Sequence, residues 1–182
     1  MTGTITEVQV PTGTWQADKL HSSIGFAVEH LGVSLFRGRF SDYAATLEIA
    51  PDGAQLEGAA RVDSVDVSDE NLEAHLASPE FFDAQRTPEL RFASTDLRVD
   101  GECLALTGEL TVRGHTERLE ATGTIRYVAQ DIAGDERVGL ALEATVDRRR
   151  FGLDWNAPLA GGGLALGTDV TLEVRLELTR GA

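Results

Sequence analysis

Along most of this chain apolar and polar side chains alternate with a period of two, the mark of β-strands that bury one face. The last stretch is the cleanest: Val170, Leu172, Val174, Leu176 and Leu178 interleave with Thr171, Glu173, Arg175, Glu177 and Thr179. The same alternation runs through Ile24, Phe26 and Val28, and through Tyr43, Ala45, Leu47 and Ile49. It returns from Leu104 to Val112, from Leu119 to Tyr127 and from Val138 to Val146. Between the runs stand Pro51-Asp52-Gly53, Asp100-Gly101, Arg113-Gly114-His115 and Gly134-Asp135, which supply turn chemistry. Long strands joined by short turns predict an up-and-down meander. An open sheet of about eight such strands would leave unpaired edges, so the pattern predicts an all-β, antiparallel, eight-stranded β-barrel.

One segment departs from period two. Leu72, His75 and Leu76 follow helical spacing, with Ser68 placed as the N-cap. Ser78-Pro79-Glu80 reads as a second helix start, with a capping serine, proline at the first helical position and an acid in the first turn. Together they predict a helical insert over residues 69–85, carrying Phe81 and Phe82 across one mouth of the barrel. Residues 1–12 are a tail, and residues 13–182 form the single barrel domain.

The inward rows are small at Gly58, Ala60, Gly108, Ala121, Gly123 and Ala144. Any one of these lets a sheet bend or leaves space inside. Spread over several strands, they favour a hollow interior.

Composition narrows the function classes. With 182 residues, 42% of them hydrophobic and 25% charged, the chain is an ordinary globular protein with enough length for one core. Its 16 basic and 30 acidic residues give a net charge of −14, which repels phosphate backbones and anionic lipid surfaces and argues against a nucleic-acid partner. No stretch approaches the roughly 20 apolar residues that span a bilayer, so stable membrane insertion is not expected. The first residues carry neither a basic start nor an apolar run, and Cys103 is the one cysteine. A cytoplasmic setting follows as the expectation, with no disulfide and no cysteine metal site.

The motifs resemble a known family. Trp15-x-x-Asp18-x-x-His21-Ser22-x-Ile24-x-Phe26-x-Val28-x-His30, followed by Phe36-Arg37-Gly38-x-Phe40, is similar to the opening of YceI-like proteins. Asp63-Ser64-Val65, His75-Leu76, Ser78-Pro79-x-Phe81-Phe82-Asp83 and Pro88-x-Leu90-x-Phe92 resemble the central block. Gly108-Glu109-Leu110-Thr111-Val112-Arg113-Gly114 and Asp147-Arg148-x-x-Phe151-Gly152-Leu153 resemble the later ones, and the blocks fall in order over nearly the whole chain. The resemblance implies a lipocalin-like barrel with an elongated pocket for polyisoprenoids, isoprenoid quinones or other long-chain amphiphiles, often in a homodimer. Two departures stand out. Leu72-Glu73-Ala74 replaces the Arg-Asp pair common before the family's His-Leu, and the leader of the many periplasmic members is not seen.

The tempting catalytic pairs fail on geometry. His21 and His30 are an odd number of residues apart, so on a regular strand they face opposite sides and cannot share one ion. Ser22 and His30 share a face, but eight residues of strand hold them roughly 26 Å apart, beyond the reach of a nucleophile–base pair. His21 beside Asp18 reads as a turn residue, and His75 and His115 as solvent-facing or packing residues. His30 is placed on the inner face near a turn, where its ring bonds a ligand's head or a backbone carbonyl. Arg148, in the basic run Asp147-Arg148-Arg149-Arg150, pairs with an acid or meets a head group. Gly161-Gly162-Gly163 lacks the Lys-Ser/Thr of a phosphate loop and reads as a loop or bulge flanking the entrance.

These considerations define a ligand set of Ser22, Phe26, Val28, His30, Phe36, Phe40, Leu76, Phe81, Phe82, Phe92, Leu110, Arg148, Phe151 and Trp155. They predict a non-enzymatic binder, store or transporter of a long-chain lipid that needs no cofactor or metal. The alternative is a barrel isomerase or cyclase acting on such a lipid. It requires an inward acid or base of shifted pKa, which no close-spaced pair in the sequence supplies.

Overall fold

The computed structural model describes residues 10–181; residues 1–9 of the expected tail lie outside the described residues. Eleven antiparallel strands build eight staves, because three staves are made of two collinear pieces. β1 (Gly13–Ala17) and β2 (Ser23–His30) form the first, and β3 (Ser34–Phe40) and β4 (Tyr43–Ala50) the second. β5 (Gly53–Arg61) passes through a 3₁₀ turn, Val62–Ser64, into β6 (Val65–Asp66) and completes the third. β7 (Glu89–Asp100), β8 (Cys103–Val112), β9 (His115–Val128), β10 (Arg137–Asp147) and β11 (Leu166–Arg180) follow singly.

The expected eight-stranded barrel is therefore present and closed. Neighbours in space are neighbours in sequence, and the last stave returns to the first. Near its end β11 pairs with β1 (Trp15↔Arg180), and earlier it pairs with β2 (Phe26↔Leu172). The turns work as their residues suggest. At the β8–β9 hairpin both Arg113 (φ 53°) and Gly114 (φ 77°) adopt positive φ, as a type I′ turn requires.

The insert differs from its sequence expectation. α1 (Glu70–Ala77) is capped by Asp69, whose carboxylate accepts from the Leu72 N–H at 2.9 Å. Ser68 cannot be the cap, since its φ of 61° lies outside the extended region an N-cap occupies. The second helix at Ser78-Pro79 does not form either. The carbonyls ending α1 take the following amides, Phe82 N–H to Leu76 O and Ala84 N–H to Ala77 O, both at 3.0 Å. That wraps residues 79–86 into successive turns. No helix among the described residues is long and apolar enough to cross a membrane.

The interior has two halves. At one end Trp15, Leu47, Leu104, Ile125, Val138 and Leu178 pack solidly, none more than 2% exposed. At the other, Phe26, Phe40, Val65, Leu76 and Phe81 form a second cluster beneath α1. Between these halves the barrel is hollow.

Candidate functional site

The hollow is a cavity of about 360 Å³ whose wall is the inward row of nearly every stave. Of the residues nominated from sequence, all but Ser22 line it. Phe26, Val28 and His30 come from β2, Phe36 and Phe40 from β3, and Phe92 and Leu110 from β7 and β8. Leu76 of α1 and Phe81 and Phe82 of the following turns cover it, while Arg148, Phe151 and Trp155 close one side of the mouth. The charged lining residues Glu57, Arg91 and Glu143 are exposed members of outward rows.

Ser22 belongs elsewhere. It sits in the crossover between β1 and β2, where the stave's backbone leaves its partner. Its hydroxyl accepts from the Glu177 N–H at 2.9 Å and donates to the Glu177 carbonyl at 3.2 Å, standing in for the missing strand pairing. His30 ends the inward row of β2 at the rim and is exposed.

Arg148 is buried, at 5% exposure, but it has no carboxylate partner within salt-bridge distance among the described residues. Instead its guanidinium feeds backbone carbonyls. Nε donates to Gly167 O at 2.8 Å, and Nη1 donates to Trp155 O at 2.9 Å and to Leu153 O. These bonds staple the 3₁₀ turn Arg148–Phe151 and the segment after it to the start of β11. Burial pulls the arginine's pKa below its ordinary value, opposed by the nearby Asp154 and Asp147 charges.

The small inward residues divide by role. Ala45, Ala60, Ala121 and Ala144 face the void and leave it open. Gly38, Gly108 and Gly123 instead admit close neighbours. A Cβ on Gly123 would meet the Ala141 carbonyl oxygen at 1.7 Å, so this glycine serves strand approach and not space. At Gly38 the intruders are the Phe26 ring, 2.5 Å from where a Cβ would stand, and Val67, and at Gly108 the Phe92 ring and the Ala93 carbonyl oxygen, both at 2.5 Å. Both aromatics therefore lie down on a neighbouring strand instead of filling the lumen.

The mouth contains two residues outside the ligand set named from sequence: Asn156, and His75, whose sequence position reads as solvent-facing or packing. His75 stands edge-on to both Phe81 and Trp155, with centroids 5.1 and 5.0 Å away, and its Nε2 lies 3.0 Å from Glu80 Oε2. Its position one residue before Leu76 on a covering helix was the available signal. Asn156 clamps the other lip: Oδ1 accepts from Leu166 N–H at 2.9 Å and Nδ2 donates to Leu166 O at 2.8 Å. The glycine-rich loop beyond it is a small hairpin, bridged at Pro158↔Leu164, and its Ala165 carbonyl accepts from Leu31 N–H at 2.7 Å.

One cluster lies outside the cavity. Asp18, His21 and Glu177 come together beside the break in the first stave. Arg137 already sits among them, with Nη1 3.1 Å from Asp18 and 3.3 Å from Glu177, and Nε 2.8 Å from Asp131. A guanidinium at the centre repels a metal cation and supplies the charge the acids need. The Asp18 carboxylate, 2.9 Å from His21 Nδ1, raises the pKa of His21 and has its own lowered by the same bond.

Comparison with known proteins agrees with this architecture. The YceI-like domain profile matches residues 15–178. A UPF0312 protein of Staphylococcus epidermidis is 26% identical over 89% of this chain and 95% of its own length. A Protein YceI of Salmonella arizonae is 28% identical over 73% of this chain and 71% of its own. Among solved structures, BcnA of Burkholderia cenocepacia superposes with a TM-score of 0.74 at 18% identity, covering 88% of this chain and 98% of that one. The YceI protein of Campylobacter jejuni gives 0.70 at 26% identity over 91% and 96%. A polyisoprenoid-binding domain from Saccharophagus degradans, implicated in plant cell wall breakdown, gives 0.69 at 12% identity over 94% and 100%.

Proposed function

The chain belongs to the YceI-like domain family, and on that premise we propose that its barrel binds a long-chain amphiphile, such as an isoprenoid or fatty-acyl lipid, for storage or transport. The observation that carries the reading is a cavity of about 360 Å³ walled by aliphatic and aromatic side chains and opening beside α1. Each buried methylene contributes about 0.8 kcal/mol, so such a wall binds an apolar tail without many polar contacts. The structural relative named for polyisoprenoid binding has the same barrel, which supports the choice of ligand class.

The polar groups at the mouth suit orientation of a head group. His30 is exposed at the rim, and His75 stands among Phe81 and Trp155. Arg148 is committed to carbonyls through Nε and Nη1. None of these forms a converging acid–base pair inside the lumen, which favours a carrier over an isomerase or cyclase. A cytoplasmic setting and a homodimer are parts of the same proposal, the first supported by the unpaired, exposed Cys103.

Native mass spectrometry of protein purified without detergent, followed by solvent extraction, tests the reading. The expected result is a lipid adduct, or uptake of added prenols or fatty acids, on a dimeric species. A stable apo mass that takes up neither overturns lipid binding. Turnover of a bound lipid that is lost in His75→Ala or His30→Ala overturns the carrier in favour of an enzyme.

A further inference from the structure

The cavity has a built floor. On β4, β8 and β11 the deepest lining residues are Ala45, Leu106 and Leu176. Two positions further on, the next inward side chains are Leu47, Leu104 and Leu178, at 0%, 2% and 0% exposure. On β10, Leu142 lines the cavity and is followed by Leu140 and Val138, at 3% and 0%. On β9 the glycine after Ala121 gives way to Ile125 at 1%, and the Trp15 indole, register partner of Leu47, packs in the same cluster at 0%. Five staves thus place a large aliphatic side chain just beyond the lining, and these pack into one buried cluster that closes the lumen as a septum. An eight-stranded barrel has an interior only wide enough for one slender ligand, so a septum across it leaves no bypass.

The floor fixes the depth. The lining runs from Ile24 to His30 on β2 and from Leu106 to Val112 on β8. Six residues of strand at a 35–45° tilt give a hollow about 14–16 Å deep. That is about half the ~30 Å hydrocarbon core of a bilayer, or about the length of one lipid tail in one leaflet. The volume of about 360 Å³ lies at the low end of ligand pockets.

Resting on the lipid-binding reading above, we infer that the barrel is a length-limited site. It takes a single tail of one acyl chain or a few isoprene units, and the layer of Leu47, Leu104, Ile125, Leu140 and Leu178 sets the limit. A longer polyprenyl chain leaves its remainder in water beyond the mouth and gains nothing from it.

Affinity against tail length tests the inference, with geraniol, farnesol, geranylgeraniol and solanesol as probes and native mass spectrometry or tryptophan fluorescence as readout. Affinity is expected to climb from geraniol to farnesol, by about fourfold for each methylene buried, and to stop climbing by geranylgeraniol. Ala121→Leu raises the floor and is expected to move the plateau to a shorter prenol. Leu104→Ala lowers the floor and is expected to move it to a longer one. Should Leu104→Ala fail to fold, Ala121→Leu, which projects into empty space, still decides. Affinity that keeps rising to solanesol, or a plateau unmoved by Ala121→Leu, overturns the floor while leaving lipid binding intact. Failure of all four prenols and of a matched fatty-acid series overturns both readings together.

Discussion

The Phe26 ring lies on Gly38, its register partner across β2 and β3, with Cζ only 2.5 Å from the place a Cβ would take. The glycine thereby holds an aromatic against the wall that would otherwise project into the lumen. Val67 Cγ1, 2.8 Å from the same point, blocks the remaining escape. Gly38→Ala is expected to destabilise the barrel by about 1–3 kcal/mol through overpacking. Phe26→Leu in the same chain should recover part of the loss, because the closest clash is with the ring while Val67 stays in place. A double-mutant cycle in urea reads the coupling. Additive losses would show that the glycine serves only the backbone.

Arg148 makes a second claim on the site's integrity. It holds three carbonyls with one guanidinium, at Gly167, Trp155 and Leu153. Arg148→Met keeps the apolar stem but leaves buried carbonyls without donors, and is expected to cost about 2–4 kcal/mol. Arg148→Lys should recover little, since an ammonium cannot reproduce the planar fork. Equal stability of wild type and the lysine variant in chemical denaturation would contradict this role. Lipid uptake should weaken in both variants at temperatures where they remain folded, because the lip containing Trp155 loses its anchor.

The wall was legible in the sequence because period-two alternation is a direct image of a sheet with one wet face. What the alternation could not carry was the break in a stave. β1 and β2 appear as one motif, so Ser22 reads as an inward strand residue, whereas it patches a gap with its hydroxyl. The small residues were visible but not their division of labour. An alanine that faces a void and a glycine that receives a phenylalanine ring have the same sequence signature, and only the neighbour across the sheet separates them. Arg148 was recognisable as a position, but its partners are carbonyls, which every residue has and no sequence marks. His75 follows the same logic: its aromatic neighbours at Phe81 and Trp155 are far apart in sequence or beyond one helical turn.

The two tryptophans offer a readout that separates floor from mouth. Trp15 is fully buried among the septum residues, with Arg180 stacked 4.7 Å from its ring centroid. Trp155 lines the cavity and touches His75 and Phe81. Ligand binding should shift or quench emission from Trp155 alone. Trp155→Phe is expected to abolish the ligand-induced change while keeping the emission of Trp15. A change that survives Trp155→Phe would place the ligand, or a conformational response, at the opposite end of the barrel.

Stability should fall on both the acid and the alkaline side, for different named groups. Asp131 accepts from the Asp135 and Ala133 amides and from Arg137, and these bonds lower its pKa from 3.8 to about 2. Asp147 reaches about 2 through its bonds to the Arg149 guanidinium and amide. A depressed carboxylate stabilises the fold above its ordinary pKa and loses that contribution as pH falls toward the depressed value. The Tm is therefore expected to drop between 3.8 and about 2, and Asp131→Asn should lower it at neutral pH but converge on wild type at the acid end. His21 runs the other way. Its bond to Asp18 raises its pKa from 6.5, so its contribution is complete below 6.5 and disappears as pH rises through the raised value. His21→Ala should lower the Tm on the acid side of that window and leave it unchanged above. A wild-type minus His21→Ala difference that is constant across the window would show that the histidine is held by packing and not by charge.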